Sequence, residues 1–171
     1  MKPTMEPLVE TLIEDDRWQG IDLPALAERA GVAALAGAGI APQGLTLCLM
    51  ACDDARIAVL NGQFLGKTAP TNVLSWPSKD RSSDTFGDPP PPPEPGQAGD
   101  PLHLGDVALA WDTCLREANQ QGKSLSDHAC HLIVHGTLHL LGYDHEDDED
   151  ANLMERIEIT TLATLGVANP Y

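Results

Sequence analysis

The sequence contains no run of apolar residues that approaches the roughly twenty needed to cross a lipid bilayer. Residues 1–7 also lack the apolar core that a secretory signal peptide carries. These two absences predict a cytoplasmic protein that is not exported and has no membrane partner.

The sequence also lacks the closely spaced cysteine pairs, separated by two residues, that are typical of structural zinc or redox sites. Its four cysteines are Cys48, Cys52, Cys114 and Cys130. In a chain expected to remain in a reducing compartment, these residues are predicted to be buried thiols rather than a disulfide framework.

Positive charge is scarce, because 10 Lys and Arg residues face 26 Asp and Glu residues and the formal net charge is -16. Proteins that bind phosphate backbones unaided usually present a basic surface. A nucleic-acid function would therefore need either a localised basic patch or delivery by a basic partner. Part of the acidity lies in residues 146–150, which are predicted to be the solvated start of a helix rather than a second metal site.

The length of 171 residues is enough for one hydrophobic core and too short for two ordinary domains. Apolar patterns predict strands within residues 7–13, 45–50, 71–76 and 102–109. Helical patterns predict helices that begin near Asp22, Asp53 or Asp54, Trp111, Ser124 or Ser126, and Asp147. The predicted fold is a single small α/β (α+β) domain over residues 1–171, with a mixed sheet of about four strands and about five helices.

Residues 78–100 differ abruptly in composition from the rest of the chain and include a run of prolines between Asp88 and Gly96. Such runs adopt an extended conformation and cannot join the interior of a sheet. This segment is predicted to be an exposed or partly disordered loop that acts as a spacer. A polyproline ligand for a partner domain is the less favoured alternative.

Three histidines, His135, His139 and His145, occur in one short stretch. On a helix, residues four apart project from the same face, so His135 and His139 can bind one metal ion together. Gly142 stands where helices commonly end in a left-handed residue, which would let the chain fold back and present His145. Three imidazoles leave a fourth position open, as in catalytic zinc sites. The pattern predicts one zinc ion per chain on a central buried helix, although copper and nickel also bind such ligands.

The sequence also offers alternatives to this prediction, namely another enzyme class with the same ligand spacing and other histidines. Metzincin peptidases share the ligand spacing, but a glutamate that follows their first histidine acts as general base, and Gly136 stands at that position here. A peptidase is therefore the weaker hypothesis. His131 could pair with His135, but that choice leaves the glycine turn and the third histidine unexplained. His128 and His131 are predicted to support the ligands or to pack, and His103 to be structural.

Residues 135–145, His-Gly-Thr-Leu-His-Leu-Leu-Gly-Tyr-Asp-His, resemble the signature of the YbeY-type endoribonucleases, which are bacterial rRNA maturation factors. Residues 70–77 and 104–107 resemble two further blocks of that family, PTNVLSFP and LGDI. The resemblance covers roughly positions 45 to 165. It implies a hydrolase fold in which the three histidines hold zinc, cleavage of single-stranded RNA, maturation of the 3′ end of 16S rRNA, and a part in ribosome quality control.

The sequence departs from this family at one position of interest. The family usually carries an arginine after the aromatic residue of a Leu-Asn-x-x-aromatic-Arg-Gly-Lys segment, and Leu65 stands there in this chain. Leucine cannot bind phosphate, so that catalytic role is predicted to pass to Lys67. Asn72 and backbone amides near Gly105 are predicted to contact the substrate. Asp144 is predicted to accept a proton or to orient a ligand imidazole.

Two functions from different classes follow from these observations. The first is metal-dependent cleavage of an RNA phosphodiester bond. The second is a ribosome-assembly partner with a mainly structural metal, which would bind the small ribosomal subunit, one of its proteins or an Era-like GTPase. The net charge and Leu65 favour the second function, because an acidic protein can dock on basic ribosomal proteins.

Overall fold

A computed structural model of the chain describes residues 6–66 and 69–171. The strands are β1 (Val9–Ile13), β2 (Leu45–Cys52), β3 (Val73–Pro77) and β4 (Leu102–Ala110). The helices are α1 (Leu23–Gly37), α2 (Asp54–Leu65), α3 (Trp111–Gln121), α4 (Leu125–Leu140) and α5 (Asp148–Thr164). The predicted α+β class, four strands and five helices are confirmed. A short 3-10 helix over Asp16–Ile21 was not predicted.

The four strands form one mixed sheet in the order β1-β2-β4-β3, in which only β3 is antiparallel to its neighbour. Alternating side chains give the sheet two different faces. Leu45, Leu47 and Leu49 of β2 join the main core cluster together with apolar residues of α1 and α4. On the other face, Ile57 and Leu60 of α2 pack in a smaller cluster near the ends of β2 and β4. Helix α2 therefore lies on the opposite side of the sheet from α4.

A β-bulge interrupts the pairing of β2 with β4, since Thr46 pairs with His103 whereas Cys48 pairs with Asp106. The extra residue of β4 falls beside Gly105, which has a φ of 146°. A side chain at this glycine would collide with the carbonyl oxygen of Trp76. The bulge shifts the alternation of β4, so that residues three apart project from the same face.

Helix α4 begins after Ser124, whose hydroxyl accepts a hydrogen bond of 3.1 Å from the backbone N–H of Asp127. This contact selects Ser124 over Ser126 as the cap. Ten residues of the helix are buried, as expected for a central element. One of them is Gly136, where a β-carbon would lie 2.9 Å from Cγ1 of Val107. The glycine thus allows α4 to approach β4 closely.

The predicted caps are correct for two of the other helices. The side chain of Asp53 accepts a hydrogen bond from the N–H of Arg56, and Asp147 accepts from the N–H groups of Glu149 and Asp150. The prediction for Asp22 is wrong in its detail: this residue precedes α1, but its side chain forms no capping bond with the part of the chain that the structure describes.

Residues 78–100 follow an irregular and mostly exposed path, apart from one isolated bridge between Gln97 and Asp100. Buried Arg81 fastens the segment to the rest of the molecule. Its guanidinium donates hydrogen bonds to the carbonyl oxygens of Leu104 and Leu140 at 3.0 and 3.2 Å. The bond to Leu140 places a cation at the C-terminal end of α4, where the helix dipole favours one.

Within residues 6–66 and 69–171, every helix is too short or too polar to cross a membrane.

Candidate metal centre

The end of α4 has the geometry that the sequence predicted for Gly142. The N–H of Gly142 donates to the carbonyl of His139 at 3.0 Å, and the N–H of Tyr143 donates to the carbonyl of Leu138 at 3.1 Å. These two bonds form a Schellman motif, with Gly142 at a φ of 106°. The motif reverses the chain direction and brings residue 145 back beside the helix.

The three predicted ligands lie together as a result of this turn. The ring centroids of His135 and His139 are 4.5 Å apart, and those of His145 lie 5.3 and 5.0 Å from them. One nitrogen from each ring falls within 4.8 Å of the others. His145 is exposed while the other two rings are half-buried, so the cluster opens toward solvent on one side. These three side chains could hold a metal ion.

The proton on each of two rings is fixed by a neighbouring acceptor. Nδ1 of His135 lies 2.6 Å from Oε1 of Glu158, and Nδ1 of His139 lies 2.9 Å from the carbonyl oxygen of Tyr143. Since an ionised carboxylate and a carbonyl oxygen can only accept, Nδ1 must donate in both rings. In the neutral form of each ring, Nε2 then has no hydrogen and carries a lone pair.

The two Nε2 atoms of His135 and His139 are 3.0 Å apart. With both protons on Nδ1, neither atom can donate to the other, and their lone pairs repel. A cation between them removes this repulsion. For a tetrahedral ion with metal–nitrogen bonds of about 2.0 Å, neighbouring ligand nitrogens lie about 3.3 Å apart. The chemistry of these side chains and the spacing of the His135–His139 pair therefore fit a metal ion.

Glu158, on α5, supports the ligand His135 and was not among the predicted site residues. It is fully buried, and its carboxylate also accepts hydrogen bonds from Nε2 of His131 at 3.1 Å and from the hydroxyl of Tyr171 at 2.5 Å. Burial would raise the pKa of Glu158, but the hydrogen bonds from His131 and His135, the charge of His135 and the bond from Tyr171 lower it to about 2. The carboxylate is thus ionised and oriented toward His135. A carboxylate that orients a ligand imidazole is a common feature of metal sites.

One sequence signal could have revealed Glu158. It lies four residues after buried Met154 and four before buried Leu162, on the apolar side of α5. A carboxylate on such a side needs a buried partner. The partner itself could not be identified without the tertiary structure.

The surroundings of His139 set the protonation state of its ring. Burial and the neighbouring rings of His135 and His145 lower its pKa to about 4. The ring is therefore neutral near pH 7, which is the form that binds metal.

The remaining predicted site residues differ in their contacts. Asp144 accepts a hydrogen bond of 2.7 Å from the N–H of His145, so it stands beside the third imidazole. The amide of Asn72 donates to Glu117 at 2.9 Å, and Glu117 also pairs with His128. Gly105 is buried within the bulge of β4. Lys67 lies outside the described residues.

The surface next to the candidate centre is acidic. A cavity of about 420 Å³ lies between the irregular segment 78–100 and the start of α5. Its lining includes five carboxylates, those of Asp88, Asp144, Glu146, Asp147 and Asp150. The field of these groups opposes the approach of a phosphate from this side.

The fold and the histidine cluster together define a small α+β protein with a candidate three-histidine metal centre that opens to solvent on one side. The chain belongs to the YbeY family, since its residues 17–166 match the family described as Endoribonuclease YbeY. The family resemblance read from the sequence is thereby confirmed.

Curated relatives and one solved structure agree with this assignment. A Cereibacter sphaeroides protein named Endoribonuclease YbeY is 60% identical over 98% of this chain and 100% of its own length. A Dinoroseobacter shibae protein of the same name is 54% identical over 100% of this chain and 97% of its own. A Thermotoga maritima protein of known solution structure, 18% identical, covers 92% of this chain and 91% of its own with a TM-score of 0.52, which shows a shared fold.

Proposed function

We propose that this protein is a zinc-dependent endoribonuclease that cleaves single-stranded RNA. Two relatives that this chain matches over 100% and 97% of their own length are named Endoribonuclease YbeY. The observation that carries the proposal is the close approach of the Nε2 atoms of His135 and His139, 3.0 Å apart, with His145 beside them. This arrangement leaves a coordination position for water or substrate, as a hydrolase requires.

The residues around the centre have separate roles in this proposal. A zinc ion held by the three histidines would supply a Lewis acid and a bound water of lowered pKa. Glu158 fixes the tautomer and the orientation of His135. Asp144 is positioned to accept a proton at its carboxylate, because its bond to the N–H of His145 holds it next to the cluster.

Substrate contacts are proposed for Lys67, for Asn72 and for backbone amides near Gly105. Lys67 would provide the positive charge that Leu65 lacks. The amide of Asn72 would exchange its bond with Glu117 for a bond to the RNA. Because Gly105 is buried, we propose that backbone N–H groups of neighbouring residues, rather than its own, donate to the phosphate.

The cellular role that we propose is maturation of the 3′ end of 16S rRNA and ribosome quality control in the cytoplasm. The net charge of -16 and the acidic cavity both disfavour capture of free RNA over a broad surface. We therefore propose that the small ribosomal subunit presents the RNA, with a basic small-subunit protein or an Era-like GTPase as the docking partner.

Replacement of one ligand tests the enzymatic proposal directly. We expect His139→Ala to lose both the bound zinc, measured by elemental analysis, and cleavage of single-stranded RNA by the purified protein. Asn152→Ala, on the exposed side of α5, is the control and should keep both properties. Undiminished RNA cleavage by a folded, metal-free His139→Ala protein would rule out the metal-dependent mechanism.

A second candidate function is a ribosome-assembly partner in which the metal is mainly structural. The acidic cavity favours it, because carboxylates suit a basic protein better than RNA. Co-sedimentation with small-subunit precursors that survives metal chelation, together with no cleavage of naked RNA, would select this function. A peptidase is disfavoured further, since Gly136 packs against Val107 and leaves no room for a glutamate base.

A further inference from the structure

A second group of metal-binding side chains lies on the face of the sheet opposite α4. It consists of Glu10 on β1, Cys48 on β2, and His103 and Asp106 on β4. Nε2 of His103 is 3.0 Å from Oδ1 of Asp106, and Sγ of Cys48 is 3.7 Å from Oε2 of Glu10. Donor atoms of Cys48, His103 and Asp106 all lie within 4.8 Å of one another.

The bulge at Gly105 is what brings these donors together. In a regular strand, His103 and Asp106 would project from opposite faces, because side chains alternate with a period of two. The additional residue in β4 reverses this alternation and puts both side chains on the face that carries Cys48. Since Cys48 pairs directly with Asp106 in the sheet, its thiol lies next to that carboxylate.

We propose that Cys48, His103 and Asp106, with Glu10 as a fourth donor, form a second metal site that binds a divalent transition-metal ion of the zinc type. Thiolate, imidazole and carboxylate are the three ligand classes that zinc takes in proteins. The thiol and the imidazole disfavour calcium and magnesium, which prefer oxygen ligands only.

The electrostatics of the site favour a cation. The carboxylates of Glu10 and Asp106 both lie beside the thiol of Cys48. The same carboxylates attract a divalent ion. The bound ion then stabilises the thiolate and offsets the repulsion between the thiolate and the carboxylates. His103 and Asp106 keep 43% and 55% of their side-chain surface exposed, so an ion can enter from solvent.

The site joins three strands on the face of the sheet that does not carry the main core cluster. A bound ion would link β1, β2 and β4 on a face that α2 covers only near one end. It should therefore stabilise the sheet by binding the folded state alone. This role is independent of the three-histidine centre and of the function proposed for it.

Cobalt titration of the metal-free full-length protein distinguishes the two sites. A cobalt ion bound at the second site has a thiolate ligand and gives a sulfur-to-cobalt charge-transfer band, whereas three imidazoles give none. We expect the band in the wild type and in His139→Ala, which lacks a ligand of the first site. Cys48→Ser and His103→Ala should both lose it. Cys130→Ala is the control, because its buried thiol lies outside the site, and it should keep the band.

A thiol-labelling measurement covers the case in which a variant folds poorly. Cys48 is only half-buried, while the other three cysteines are buried, so it should react first with a maleimide in the folded wild type. Zinc should slow this reaction at least about tenfold, the protection expected at a free zinc concentration about ten times the dissociation constant. His103→Ala should abolish the protection. A thiolate band that persists in Cys48→Ser, or labelling that zinc does not slow, would overturn the proposal.

Discussion

Glu158 and His135 lie on different helices, and Oε1 of Glu158 is 2.6 Å from Nδ1 of His135. This bond fixes the imidazole so that Nε2 faces the other two histidines. Helix α5 therefore takes part in the candidate centre although it supplies none of the three predicted ligands.

We expect Glu158→Gln to weaken zinc binding about 10- to 100-fold, the usual cost of losing a residue that orients a metal ligand. The amide is uncharged and holds the imidazole less strongly than the carboxylate does. Competition with a chelator of known affinity measures the change. Tyr171→Phe is the graded control, because it removes one hydrogen bond to Glu158 but keeps the carboxylate. Equal losses for the two variants would contradict an orienting role for the charge.

The turn after α4 gives a prediction about stability. We expect Gly142→Ala to lower the free energy of unfolding by about 2 to 3 kcal/mol, because the glycine has a positive φ and its neighbour is rigid backbone. The added β-carbon would lie 2.5 Å from the carbonyl oxygen of Arg81. Urea denaturation monitored by circular dichroism measures the effect.

Gly122 offers the matched control for this substitution. It ends α3 with a φ of 66°, and no described atom lies within 4 Å of a β-carbon built there. Gly122→Ala should therefore lower the free energy of unfolding by only about 1 kcal/mol, which is the cost of a positive φ at alanine. Equal decreases in the free energy of unfolding for Gly142→Ala and Gly122→Ala would show that the contact with Arg81 does not affect stability.

Arg81 provides a third prediction. Arg81→Met should lower the free energy of unfolding by about 1 to 3 kcal/mol, because the carbonyl of Leu140 loses its buried donor. The substitution should also loosen the end of α4, seen as faster amide hydrogen exchange of Gly142 and Tyr143. Lys79→Met, at an exposed position of the same segment, should leave both measurements unchanged. Unaltered exchange in Arg81→Met would show that segment 78–100 does not support the helix.

Position 65 tests the departure from the family pattern. We expect Leu65→Arg to raise the rate of cleavage of naked single-stranded RNA, because a guanidinium stabilises charge on the scissile phosphate. Leu65→Gln is a polar control without charge and should give no such gain. Parallel assays at low and high salt should show that the gain shrinks as salt screens the added charge. A rate equal to that of the wild type would indicate that another group already fills this role.

The sequence was sufficient for the parts of the centre that depend on local geometry. The spacing of His135 and His139 on a helix and the glycine at position 142 both follow from the backbone conformations that single residues prefer. For the same reason, the strands and helices lie close to their predicted bounds. The short segments that resemble the family lie within the match over residues 17–166 that shows the membership.

The parts that were missed depend on contacts between distant segments. Glu158 is 23 residues from His135 and meets it only when α5 packs on α4. The bulge at Gly105 similarly changes which residues share a face of β4, and a period of two in the sequence cannot reveal it. His103, expected to be structural, is paired with Asp106 on the face of the sheet opposite α4.

The order of these segments along the chain has a consequence for biosynthesis. Residues 135–145 leave the ribosome before Glu158 does, because translation proceeds toward the C-terminus. Until α5 has been made and packs on α4, Nδ1 of His135 lacks the carboxylate that selects its tautomer, whereas Nδ1 of His139 finds its acceptor in the adjacent turn. The arrangement of the three imidazoles is therefore completed only when the last helix of the chain docks.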